Sequence, residues 1–168
     1  MNRKETTKFL GNLLIHERFG NGYWASEVSI DYGTTDVKRV DFMQFEPPGV
    51  VGISGIEKGI FICYEIKSCK DDFNSGFGRN FIGEKNYFVM PMDTYKEVLQ
   101  DIPNGIGVLV PIPQNTGNTN DERYKEFESP TELSEEIQWK FWAIRHPRER
   151  IRKKSMVELL FYMLRSGH

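Results

Sequence analysis

The sequence predicts an α/β fold, a mixed sheet with helices on its faces. Three observations lead there. An amphipathic helical pattern opens the chain, with Phe9, Leu10, Leu13, Leu14 and Phe19 on one face. Several short β-prone runs follow, bounded by turn residues. A strand–helix–strand order over 84–111 then implies a parallel crossover of right-handed sense.

Residues 3–19 read as the first helix, with Gly20 as its C-terminal stop. Tyr23 to Tyr32 reads as a strand, with Trp24, Val28 and Ile30 on one face and Ala25, Glu27, Ser29 and Asp31 on the other. Gly33 to Asp36 is the turn into a second strand, Lys38 to Phe45. On that strand alternation sets Val40, Phe42 and Gln44 against Asp41, Met43 and Phe45. A Gly- and Pro-rich connection, Glu46 to Lys58, leads to Gly59–Ser68, an apolar run that reads as a buried strand. Its far end carries Glu65 and Lys67, two residues apart and on the same side. A long hairpin connection allows Asp41 to sit beside Glu65.

Lys70 to Phe73 reads as a short helical turn, and Asn74 to Asn80 as a flexible loop. Asn86 to Met90 is a buried strand. Asp93 is positioned to cap a helix running to about Asp101, and Ile106 to Pro111 is the next strand, stopped by Pro111 and Pro113. Residues 114–136, rich in Asn, Thr, Glu and Ser, read as a surface excursion. Ile137 to Ile144 is an aromatic stretch that reads as a last strand, its rings packing in the core or stacking on single-stranded bases. Ser155 to Glu158 is a capping box that starts a final helix with a stripe of Met156, Leu160, Met163 and Leu164.

An Asp on one strand and Glu-x-Lys on the next, after a helix, is the core pattern of the PD-(D/E)xK nuclease superfamily, which residues 2–112 resemble. The wording Arg39-Val40-Asp41-Phe42 followed by Tyr64-Glu65-Ile66-Lys67-Ser68 is most similar to the MmcB-like DNA-repair branch and related phage-encoded proteins. The resemblance implies a restriction-endonuclease-like mixed β-sheet flanked by helices. It also implies an Mg²⁺- or Mn²⁺-dependent phosphodiesterase acting on DNA. Asp41 and Glu65 are the expected metal carboxylates, the Ile66 carbonyl the expected further ligand, and Lys67 the expected catalytic cation. The family often takes another carboxylate from its first helix. Glu5 and Glu17 are the candidates there, though each more readily reads as a solvent-facing helix charge, and Glu27 is a third. A non-catalytic DNA-binding or protein-adaptor module on the same fold is the alternative, and an unrelated enzyme with an accidental Glu-x-Lys strand is a third reading.

Composition bounds the rest. The 168 residues suffice for one domain, 1–168, with the excursion at about 114–136 and a basic segment at 145–168. Hydrophobic content of 39% points to a globular chain. No apolar run approaches membrane length and the basic start lacks a signal core, so a cytoplasmic location and no membrane partner are expected. Cys63 and Cys69 are the only cysteines, and Cys63 lies inside a buried strand, which argues against a disulfide. With three scattered histidines, His16, His146 and His168, no zinc spacing arises. Net charge is −2, but seven acids crowd 121–136 and six bases crowd 145–154. The basic block reads either as a phosphate-contacting surface or as the partner of the acidic block. Arg79 and Lys85 are further candidate phosphate contacts.

Overall fold

The computed structural model describes residues 1–49 and 52–167. Positions 50 and 51 of the predicted connection, and His168, lie outside the described residues. Six strands form one sheet in chain order: β1 (Tyr23–Ile30), β2 (Lys38–Glu46), β3 (Ile60–Ile66), β4 (Lys85–Val89), β5 (Gly107–Pro113) and β6 (Trp139–Arg145). The first three form an antiparallel meander, β3, β4 and β5 run parallel, and β6 returns antiparallel to β5. The helices are α1 (Arg3–Leu14), α2 (Lys70–Asn74), α3 (Met92–Val98), α4 (Asn120–Glu128) and α5 (Met156–Ser166). The α/β class and the mixed sheet are as the sequence predicts.

Asn2 and Glu5 close a capping box at the start of α1, satisfying backbone donors at the helix start. The helix continues as a π-helical turn, Ile15–Phe19, and stops at Gly20. Its apolar face, Leu10, Leu14 and Phe19, packs on Ile62, Tyr64 and Ile66 of β3 and on Tyr87 and Val89 of β4. The other face of the sheet is covered in two halves. Over β1–β3 lies α5, with Met156, Leu159 and Met163 against Val28, Met43, Phe61 and Cys63. Over β4–β6 lie α2 and α3, with Phe73 and Val98 against Phe88, Val108 and Val110. Covered on both sides, β3 is apolar along most of its length, as central strands are. Both cysteines are free thiols. Among the described residues no helix is long and apolar enough to cross a membrane.

The structure corrects several local expectations. The excursion at 114–136 contains α4, capped by Thr119, whose hydroxyl accepts the Glu122 N–H; Phe127 sets its ring edge-on to Tyr95 at 6.5 Å. Asp93 lies in the first turn of α3, and Pro91 holds the cap position. Pro111 does not stop β5, because the β4 ladder ends at Leu109 and only β6 pairs the strand beyond it. Leu159 replaces Leu164 in the buried stripe of α5; Leu164 is 82% exposed. In β6, Trp139 and Trp142 serve packing: Trp139 meets Phe9 edge-on at 6.0 Å, and Trp142 joins the α2–α3 side of the core.

The basic segment 145–154 works as a strap across the molecule. The Arg148 N–H donates to Gly105 O at 3.0 Å and the Arg150 N–H to Glu84 O at 2.8 Å. Arg152 pairs with Glu84 at 2.9 Å, and Lys154 with Asp31 at 2.6 Å. Among the described residues none of its ion pairs reaches the acids of 121–136. The buried Glu84 carboxylate also accepts the Phe61 N–H at 2.8 Å, so its second oxygen depends on Arg152. Arg152→Ala is expected to destabilise the fold by roughly 1–3 kcal/mol, the cost of leaving a buried acceptor unpaired. Urea denaturation checks it; an unchanged midpoint would mean that water replaces the guanidinium without loss.

Candidate active site

Glu65 and Lys67 leave the same face of β3, continuing the row of Phe61 and Cys63. Unlike those two they carry charge, yet Glu65 is 4% and Lys67 3% exposed. Burying charge at this level is costly unless something compensates it. The β2–β3 ladder ends at the pair Phe42–Tyr64. One step further Asp41 would face Glu65 in register. Instead the strands part, and Asp41 Oδ2 accepts the Ile66 N–H at 2.8 Å. The next donor, Lys67 N–H, turns the other way to Val89 O at 2.9 Å. In an extended strand the carbonyl of a residue points to the same side as its N–H. The Ile66 carbonyl accordingly faces the gap in which the two carboxylates meet.

A kink sets this gap. Glu27 has φ 52, left-handed backbone that a residue other than Gly, Asn or Asp adopts rarely. Its neighbours pair as Ser26–Phe42 and Val28–Val40, which puts Glu27 at the level of Asp41. Strict alternation fails at that level on both strands. Ala25 joins Val28 and Ile30 in one cluster, while Trp24 packs on the other side; Val40 joins Met43 and Phe45. The face assignments predicted for both strands are thus corrected, and the cause is the local rotation at Glu27 and Asp41. Such backbone strain costs on the order of 1–3 kcal/mol and concentrates at functional sites.

The carboxylates act on each other electrically. Burial pushes the Asp41 carboxyl above its ordinary value and the nearby Glu27 charge adds to the rise; the Ile66 N–H bond, Lys67 and Arg39 work against it. Burial drives Glu65 further, up to about 9, with the Asp41 charge second and Lys67 opposing. The two carboxyl groups are within hydrogen-bonding reach of each other. Glu65 Oε1 is nevertheless buried without a hydrogen-bond donor. A buried Glu65 oxygen without a donor, beside a second carboxyl group, is an arrangement that a divalent cation satisfies.

The loop after α2 closes over the pair. Lys67 Nζ donates to Phe77 O at 2.6 Å. Gly78, at φ +67, rests against the Glu65 carboxylate and the Lys67 ammonium, and a Cβ there would overlap Glu65 Oε2. Asp72 ties the entry together: it accepts from Ser68 N–H at 3.0 Å and from Arg3 at 2.7 Å. The surrounding cleft is about 1050 Å³ and is lined by Asp41, Glu65, Ile66 and Lys67 together with Arg3, Lys38, Arg39, Arg79 and Lys153. Of the basic strap only Lys153 reaches it.

The remaining sequence candidates lie elsewhere or play other parts. Glu5 is spent on the α1 capping box. Glu17 sits on the π-helical turn, beside a separate pocket shared with His16 and Glu135. Glu27 comes nearest; it is exposed, pairs with Arg39 at 2.7 Å, and acts on Asp41 through charge alone. Among the described residues no group of three or more His, Cys, Asp or Glu side chains forms a metal-binding cluster. Any ion placed here would have at most two carboxylates and a carbonyl from the chain, a set that only a hard ion keeping several waters, such as Mg²⁺, would accept. Arg79 lines the cleft, its guanidinium 4.6 Å over the Phe73 ring and bonded to Phe73 O. Lys85 lies on β4 and does not line the cleft. Gly76, Phe77 and Gly78 were legible only as a flexible loop; two glycines flanking an aromatic, ten residues past the Glu-x-Lys, were the available signal.

Comparison with family models, with curated proteins and with solved structures finds no match to this chain. What the cleft can do follows from its own atoms.

Proposed function

We propose that the chain is a metal-dependent DNA nuclease of the PD-(D/E)xK type, built on a restriction-endonuclease-like core. The observation that carries this reading is the donorless Glu65 Oε1, near the Asp41 carboxyl and under the charge of Lys67, in a cleft rimmed by cations. The order helix, three-stranded meander, short helix and parallel strand supports it. Asp41, Glu65 and the Ile66 carbonyl would hold Mg²⁺ or Mn²⁺. Once bound, such an ion supplies charge neutralisation at the phosphate and a more acidic water.

The residues supply the rest. Asp41 is anchored through Oδ2 by the Ile66 N–H, which leaves its other oxygen for the ion. Lys67 has three ammonium donors, and Phe77 O takes one. The others are available to orient a water or to stabilise negative charge as it develops on phosphate oxygens. Arg3, Lys38, Arg39, Arg79 and Lys153 would hold the flanking phosphates, a contact that fixes position without reading sequence. One observation favours the alternative of a non-catalytic DNA-binding or adaptor module: the closed loop that buries Glu65 and Lys67.

Labelled single-stranded, duplex, nicked, flapped and junction DNAs, incubated with Mg²⁺, Mn²⁺ or EDTA, separate the two. We expect cleavage with metal and none in EDTA. Asp41→Asn is expected to lose cleavage and metal affinity together, the latter read by titration calorimetry. DNA binding without turnover on any substrate would favour the non-catalytic module, and cutting that persists in EDTA would rule out the metal site.

A further inference from the structure

We propose that Phe77 is the base-stacking residue of this cleft, and that the substrate presents an unpaired nucleobase beside the phosphate that is cut. The inference rests on the nuclease reading and narrows it to single-stranded, flapped or gapped DNA. Phe77 is 80% exposed, between two glycines with φ +77 and +67. Its backbone is far from loose. The carbonyl holds Lys67 Nζ at 2.6 Å, and the next residue lies on the Glu65 carboxylate with no room for a Cβ. With the main chain turned inward to those two groups, the ring stands outward at the mouth of the cleft. An apolar ring that gains nothing from the core is thus held in register with the candidate site.

The cleft wall offers what a nucleic-acid strand needs around such a ring. Arg3, Arg39, Arg79 and Lys153 provide positive charge along the path of a phosphate backbone. Arg79, which lines the same cleft, is braced against Phe73, so its charge is presented from a stiff position. Aromatic rings beside cationic grooves bind successive bases through their π faces, whatever the base. In continuous duplex both faces of every base are already covered, so the ring finds a face only where stacking is interrupted.

Phe77→Ala keeps the carbonyl that contacts Lys67, and circular dichroism and thermal melting establish that it folds. Binding to a single-stranded oligonucleotide, a flapped duplex and a continuous duplex is measured in EDTA by fluorescence anisotropy. The preference for unpaired over continuous DNA is expected to fall about ten- to a hundredfold in Phe77→Ala, a loss typical of a base–aromatic stack. Phe77→Trp is expected to restore the preference. Equal losses on all three DNAs, or none, overturn the inference. A wild-type protein that cuts DNA while Phe77→Ala keeps the full preference overturns this inference alone. A wild-type protein that neither binds nor cuts any of these DNAs overturns the nuclease reading with it.

Discussion

Lys67→Met is expected to bind the divalent ion and DNA much as the wild type does and to cut DNA about a hundredfold to a thousandfold more slowly, the usual loss when one preorganised donor to developing charge is removed. The expectation comes from where the ammonium stands. It emerges two residues after Glu65 on one strand face, is nearly buried, and has Phe77 O as its close hydrogen-bond acceptor. While protonated it cannot be a metal ligand, since it has donors and no acceptor. Methionine keeps most of the buried stem, so the lost group is the charged tip. Phe77 O then loses a partner, at a cost of about 1 kcal/mol to the closed loop. If Lys67 only balances the two carboxylates, the opposite pattern appears: metal affinity or folding changes and the cutting rate per bound complex does not. Single-turnover kinetics beside titration calorimetry distinguish the two, and a Lys67→Met protein cutting at the wild-type rate would sink the assigned role.

The relation between Glu65 and Lys67 was legible because a strand repeats every two residues, and nothing in β3 disturbs that period. Asp41 was harder. Parity put it with Met43 and Phe45, whereas the structure groups those two with Val40. It still reaches Glu65, through a kink whose source is a glutamate in left-handed backbone, a choice that no residue type at position 27 announces. The helix α4 was hidden for a different reason. Its segment is polar with only Tyr124 and Phe127 to pack, so its composition reads as a surface excursion although Thr119 caps a helix there. The charge of 145–154 was evident, but its destination was not: the partners Glu84, Glu57 and Asp31 are 68, 95 and 123 residues away. The closing of Gly78 onto Glu65 is likewise a tertiary contact, invisible to any local pattern.

Replacing Glu65 by Gln is expected to stabilise the metal-free protein at pH 8 by several kcal/mol while abolishing its stabilisation by Mg²⁺. Burial raises the Glu65 carboxyl from an ordinary 4.5 to about 9 in the folded chain. Between those values the native state holds a proton that the unfolded chain has released. Stability then falls as pH rises, by about 1.4 kcal/mol per unit, because the unfolded state binds fewer protons. The stabilising effect of the protonated form is fully present below about pH 4.5 and is lost progressively toward pH 9. Glutamine removes the titration and relieves Asp41 of a like-charged neighbour. The advantage of the variant should be small at pH 5 and grow toward pH 8. Divalent metal should act in the opposite sense, stabilising the wild type by binding only the folded, deprotonated pair. Urea unfolding of both proteins from pH 5 to pH 9, in EDTA and then in Mg²⁺, measures all of this, and groups common to both cancel in the difference. A difference that stays flat across this range would show that Glu65 is solvated or already compensated in the folded chain. Equal stabilisation of both proteins by Mg²⁺ would place the ion somewhere other than between Asp41 and Glu65.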